Sequence, residues 1–277
     1  MDKQKIIDVW MQHPTKKFIN HPMFASLRRW NHEEVGKEVE PPDLALTIAA
    51  MKQANVVKGL ICSWQNQEGE LIPNATVADF VNQYPDKLVG IASVPLHKPV
   101  QAVRELRTYV KNYGFKGLRI VQWHWNLPPT HPYFYPLYAE CVDLDIPVCL
   151  QVGHTGPLMP SEVGRPIPYI DQIALDFPDL RIVCGHIGYP WSSEMIAVAT
   201  KHINVYIDTS AYTAKRYPKE LVAYVKGHGK HKVMFGTNYP MITPQKCLEN
   251  LDELNLGEEV ANRFLYQNAS KVFKLDN

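Results

Sequence analysis

The chain is 277 residues long, with 29 Lys+Arg against 28 Asp+Glu and a formal net charge of +1. That charge balance, with no basic run longer than Lys16-Lys17 or Arg28-Arg29, argues against a nucleic-acid partner or a membrane surface. The 45% hydrophobic and 21% charged fractions are those of a packed globular protein and exclude a disordered or fibrous chain. No apolar stretch approaches the roughly 20 residues of a spanning helix. The opening Met1-Asp2-Lys3-Gln4-Lys5 lacks the apolar core of a signal peptide. The five cysteines include no CxxC pair, and Cys62, Cys149 and Cys184 sit in apolar runs where a small buried hydrophobe is expected. Both features fit a reducing cytoplasm.

β-rich runs alternate with helix-length segments along the whole chain. Strands are predicted over 5–10, 56–64, 88–94, 116–122, 146–152, 180–186, 204–209 and 232–236. Several are continuous apolar runs, such as Pro147-Val148-Cys149-Leu150, as expected for strands buried on both faces. Helices are predicted over 43–55, 74–84, 99–112, 135–144, 168–177, 192–200, 219–227 and 244–254, with a closing helix over 258–273. In the first of these Leu44, Ile48 and Met51 recur at helical spacing behind Asp43 as N-cap. Eight β-then-α units without a composition break give an α/β chain that forms a single (β/α)₈ TIM barrel over 1–277, for which about 250 residues suffice. An open doubly wound sheet would show a glycine-rich loop after its first strand, where this chain has Met11-Gln12-His13-Pro14. The segment at about 11–42 has no regular period and reads as a long loop or lid.

In such a barrel the active site lies at the C-terminal ends of the strands. Those ends supply Trp10, Gln12, Trp64, Trp123, His124, Gln151, His154, His186, Trp191, Asp208, Asn238 and Tyr239, with Arg119 on the fourth strand. All six tryptophans fall in strand ends or loops assigned to that face, which predicts a pocket with aromatic walls, Trp10, Trp64, Trp123 and Trp191 among them.

The stretches Ile6-Ile7-Asp8, Gly114-Phe115-Lys116-Gly117-Leu118-Arg119, Ile182-Val183-Cys184-Gly185-His186-Ile187-Gly188, Tyr206-Ile207-Asp208-Thr209-Ser210 and Phe235-Gly236-Thr237-Asn238-Tyr239-Pro240 carry a family resemblance. The chain resembles the amidohydrolase-related family that includes aminocarboxymuconate-semialdehyde decarboxylase and the resorcylate-type decarboxylases. The resemblance runs from end to end in order and implies an amidohydrolase-like barrel, with a homodimer left open. It also implies metal ligands in an Asp-x-His-x-His motif on the first strand, a histidine on the fifth and an aspartate on the eighth. Here those positions read Trp10, Gln12, Gln151 and Asn238. An indole does not ligate, and neutral amides are poor replacements for imidazole or carboxylate on a transition metal. The expectation is therefore no metal and no cofactor. A shifted site using His13, His154 and His186 is the alternative.

His186 is retained, and the resemblance casts it as catalytic; an imidazole titrating near pH 6.5 suits an acid or base. Asp208 is expected to orient it, or else to cap its own loop. Arg119 is expected to grip a substrate carboxylate in a two-pronged contact, or else to form a buried ion pair. Gln12, Gln151 and Asn238 would donate to a carbonyl or oxyanion, or plug the metal's place. The remaining strand-end residues would contact the substrate. These features predict a metal-independent hydrolase of a small cyclic or aromatic carboxylated molecule, an activated ester or lactone. A branch of the wider superfamily opens a lactone without metal. The alternatives are a non-oxidative decarboxylase (carboxy-lyase) of an aromatic acid and a catalytically silent ligand-binding barrel.

Overall fold

The structure is a computed structural model that describes residues 4–32 and 34–275. Eight parallel barrel strands follow in chain order: β1 Ile6–Met11, β2 Val56–Cys62, β3 Leu88–Ile91, β4 Leu118–Ile120, β5 Val148–Gln151, β6 Ile182–Gly185, β7 Val205–Asp208 and β8 Val233–Met234. They pair as β1–β2–β3 and as β4–β5–β6–β7–β8. Two bridges close the ring, Ala92 to Leu118 and Met11 to Tyr239. Every residue of β1, β5 and β6 is buried, which is why apolar residues dominate both faces of these strands.

The helices pack outside. Asp43 caps α1 (Leu44–Gln53) by accepting from the Ala45 N–H at 2.7 Å. The long helix Pro99–Tyr113 starts on proline and ends at Gly114, whose φ of +70° is a left-handed cap. The predicted helix over 244–254 breaks into Pro244–Leu248 and the turn Asp252–Leu254, with Asn250 left-handed between them at φ +63°. One element is new. The strand expected to run to residue 64 stops at Cys62, and Trp64–Asn66 and Gly69–Ile72 form an antiparallel hairpin above the barrel.

The segment between β1 and α1 forms short helical turns at Lys16–Ile19, Pro22–Phe24 and Ala25–Trp30. It is tied to the loop after β5: the Ser26 hydroxyl donates to the Gly156 carbonyl at 2.5 Å, and the Leu158 N–H to the Met23 carbonyl at 3.2 Å. It thereby sits over the C-terminal ends of the strands. Among the described residues no helix is long and apolar enough to cross a membrane.

Candidate active site

A cavity of about 1100 Å³ opens at the C-terminal ends of the strands. Gln12, Gln151, His186 and Asn238 line it from the strand ends. Phe18, Phe24, Trp64 and Trp123 supply aromatic walls, and Phe18 meets Trp64 edge-on at 5.0 Å between ring centres. Trp30, 64% exposed, stands on the same lining with Arg29 and His32 from the segment over the barrel. Arg216, Tyr189 and Tyr212 come from the loops after β6 and β7. No Asp or Glu lines the cavity among the described residues, whereas two arginines and three histidines do. The field inside favours an anion.

His186 is the best-defined group in it. Its Nδ1 lies 2.6 Å from the Ser210 hydroxyl, and its ring meets Trp10 edge-on at 5.1 Å. Burial pulls its pKa down to about 3, with the Arg119 guanidinium and His154 adding to the shift, so the imidazole is neutral at physiological pH. The backbone here is unusual: His186, Ile187 and Gly188 all have positive φ, +74°, +54° and +81°. For a β-branched residue such as Ile187 that conformation is strained, and strain of this kind gathers at functional sites.

A packed layer lies beneath the cavity. Asp8 accepts from the Trp10 N–H at 3.1 Å, the Thr237 N–H at 3.0 Å and the Thr237 hydroxyl at 2.6 Å. Burial nevertheless pushes its carboxyl up to about 7. The Arg119 guanidinium stacks on the Trp10 ring at 3.9 Å and donates to the carbonyls of Val9 at 3.1 Å and Met11 at 3.3 Å. Gly185 makes room for the indole, since a Cβ there would lie 2.5 Å from it. Above this layer the Gln12 side-chain amide donates to the Asn238 side chain at 3.2 Å and to its carbonyl at 3.3 Å.

The structure thus brings Gln12, Trp64, Trp123, Gln151, His154, His186 and Asn238 together on one cavity. It moves the other expected site residues elsewhere. Arg119 is buried under Trp10 and holds β1 carbonyls, so it neither grips a substrate nor forms an ion pair with a carboxylate. Trp10 is a layer below the walls, 1% exposed. The Asp208 carboxyl meets the backbone of His186 but not its ring; its Oδ1 accepts from the Ser210 N–H at 2.8 Å, and Ser210 is the imidazole's partner. His124 is buried behind the wall, between Trp64 and Trp123. Trp191 faces outward under the Arg165 guanidinium, 5.6 Å away. Tyr239 is held by its backbone, which bonds Gln12 and Thr237, and stays off the lining. His13 faces away, its Nδ1 2.8 Å from the Thr47 hydroxyl on a separate cavity, so the shifted triad His13, His154 and His186 does not converge. Arg29, His32, Tyr212 and Arg216 were not anticipated. The aperiodic segment at about 11–42 was the signal for the first two, and nothing in the sequence marked the others.

The amidohydrolase family model matches residues 9–275, and the chain belongs to that family, whose members are enzymes. It is 25% identical over 250 residues to the gamma-resorcylate decarboxylase of Rhodococcus jostii, covering 73% of this chain and 75% of that one. An uncharacterized TIM-barrel protein from Bordetella bronchiseptica superposes with a TM-score of 0.82 at 25% identity, covering 98% of each chain. The 5-carboxyvanillate decarboxylase of Novosphingobium aromaticivorans, solved with bound manganese, superposes with a TM-score of 0.73 at 18% identity, over 98% of this chain and 97% of that one.

The residues present here do not fit such a metal. Among the described residues no group of three or more His, Cys, Asp or Glu side chains converges to hold one. At the corresponding positions the Trp10 indole is locked between Arg119 and His186, and the Gln12 amide nitrogen is already engaged with Asn238. A buried guanidinium lies directly beneath, and a fixed positive charge opposes a second cation.

Proposed function

We propose that this protein is a carboxy-lyase that removes the carboxyl group of a small, planar, hydroxylated aromatic acid, and that it does so without a metal. The observation that carries the reading is a neutral His186 at the floor of an aromatic-walled cavity lined by cationic and no acidic side chains. The names of the relatives favour decarboxylation over the ester or lactone hydrolysis that the sequence suggested.

The flat ring lies between the walls of Trp64, Trp123 and Phe18, where each aromatic contact adds about 0.5–1.5 kcal/mol beyond burial. Arg29 and Arg216 draw the acid in by its charge. With Nδ1 engaged by Ser210, Nε2 of His186 is left for the substrate. A bound carboxylate beside the imidazole raises its basicity. Nε2 takes the proton of the ring hydroxyl and delivers it to the ring carbon that bears the carboxylate. The carbon–carbon bond then breaks, its electron pair returns to the ring and carbon dioxide leaves. The phenolate so formed regains a proton from solvent on release. Proton transfer by a placed side chain contributes on the order of 10²–10⁴-fold.

The test is a panel of mono- and dihydroxybenzoates and an activated aryl ester or lactone, offered to the purified chain with and without a chelator. Carbon dioxide release from a hydroxybenzoate, unchanged by the chelator, is expected. Hydrolysis of the ester or lactone with no carbon dioxide from any acid would overturn the reading. Turnover of none of them, with binding retained, would make the protein a silent barrel.

A further inference from the structure

Ser210 stands between the two side chains that the sequence paired directly. Its hydroxyl lies 2.6 Å from His186 Nδ1, and its N–H donates to Asp208 Oδ1 at 2.8 Å. All three residues are buried: Asp208 and Ser210 are 0% exposed and His186 7%. Asp208 Oδ2 is buried without a hydrogen-bond partner. A carboxylate accepts only, and a buried one without a donor is costly. A hydroxyl both accepts and donates. These facts select one direction for the chain of hydrogen bonds.

We propose that Ser210 is a positioning residue that fixes the tautomer of His186: its hydroxyl donates toward the Asp208 carboxylate and accepts from His186 Nδ1–H, so that Nε2 offers a lone pair to the cavity. The reverse direction leaves Asp208 Oδ2 without a donor and turns an N–H toward the substrate. Burial pushes the Asp208 carboxyl up to about 6 while the bonds from Ser210 oppose the rise, so above that pH it is the acceptor the relay needs.

The backbone keeps the two partners in register. Ile187, next to the histidine, donates its N–H to the Asp208 carbonyl at 3.1 Å, which binds the β6 turn to the end of β7. Ala211, next to the serine, is left-handed at φ +66° and donates to the Thr237 carbonyl at 3.2 Å. Strained residues on both sides of the His186–Ser210 contact are thus each anchored to a neighbouring strand end. A merely space-filling serine would not call for two such anchors.

The inference rests on the reading that His186 handles the proton, and the experiment separates the two. The full chain is labelled with ¹⁵N-histidine and long-range ¹H–¹⁵N correlations are recorded at pH 7.5, with His186 assigned by its loss in His186→Asn. The expected wild-type signal is a protonated Nδ1 with a pyridine-like Nε2. In Ser210→Ala the ring is expected to shift to the Nε2–H form. The kcat on the identified substrate is expected to fall by about 10-fold or more with KM little changed. Ser210→Thr is expected to restore both. An Nε2–H wild-type ring, or a ring unchanged by Ser210→Ala, overturns the proposal. Should Ser210→Ala not fold, the wild-type tautomer decides alone. The expected tautomer together with full turnover by His186→Asn would uphold the relay and sink the catalytic role of the histidine.

Discussion

His124 offers a test of the site's packing that needs no substrate. Its ring lies 5.1 Å from Trp64 and 4.2 Å from Trp123, and both of its nitrogens are buried without hydrogen-bond partners. Burial holds its pKa near 3, against 6.5 for an unburied histidine. The unfolded chain therefore binds a proton between these values that the folded chain refuses. Stability from this group is complete above pH 6.5 and is lost as the pH falls toward 3. At pH 4.5 the solution is two units below the pKa of the unfolded histidine, and at about 1.4 kcal/mol per unit the loss is about 3 kcal/mol. His124→Phe removes the titration and keeps a ring between the two indoles. For 277 residues the unfolding entropy is about 0.6 kcal/mol/K, so about 3 kcal/mol corresponds to about 5 °C. Asp8 and Asp208, raised to about 7 and about 6, act in the opposite sense, gaining stability as pH falls, but they are common to both proteins and cancel in the difference. Melting curves of the two proteins at pH 7.5 and 4.5 should thus show the variant gaining about 5 °C on wild type at the lower pH. A difference in Tm that does not change with pH would refute the claim that a neutral imidazole is locked between Trp64 and Trp123.

Three further outcomes follow from the same layers. His186→Asn should lower kcat on the order of 10²–10⁴-fold with Tm nearly unchanged, as measured by steady-state kinetics beside calorimetry. Arg119→Met should leave KM for the acid within about twofold, because the guanidinium is under the floor, while urea unfolding shows a loss of about 1–3 kcal/mol for the carbonyls of Val9 and Met11 left unpaired. Gly185→Ala should destabilise by about 1–3 kcal/mol in the same assay, since its Cβ would meet the Trp10 ring at 2.5 Å.

The barrel was legible because strands buried on both faces leave unbroken apolar runs, and because Asp43 and Gly114 mark helix ends by chemistry that acts locally. The hairpin at Trp64–Asn66 and Gly69–Ile72 was not, since only Ser63 separates the apolar run of β2 from Trp64. The strand-end rule brings Gln12, Gln151, His186 and Asn238 to one cavity because it depends only on topology. It failed for Arg119. Facing the barrel interior is a property of register, but the height a long side chain reaches depends on what lies across the barrel, and here Trp10 holds the guanidinium down. Asp208 failed for a related reason: spacing placed it on the strand next to His186, but only the turn after β7 shows that the serine two residues on makes the contact. Arg29 and His32 lie in a segment without period, and their arrival at the cavity depends on bonds from Ser26 and Leu158 that no sequence pattern announces.

The four residues that stand where the family resemblance puts metal ligands are not four independent losses. Trp10 fits only because Gly185 has no side chain, and Arg119 covers the face of its ring. Arg119 is tolerated in a buried layer because two β1 carbonyls and the indole face satisfy it, and those carbonyls flank Trp10 on the same strand. The Gln12 amide donates to Asn238 while its own side-chain oxygen is buried without a partner, and the Gln151 backbone carbonyl accepts from the Gln122 amide. Changing Trp10 alone to histidine would leave a void over a guanidinium that has lost its stacking partner. Changing Asn238 alone to aspartate would put an ionised carboxylate beside the Gln12 amide without the imidazoles that complete a ligand set. Each single reversal costs packing or leaves a polar group unpaired, and none by itself assembles a ligand set. The layer therefore behaves as one packed unit.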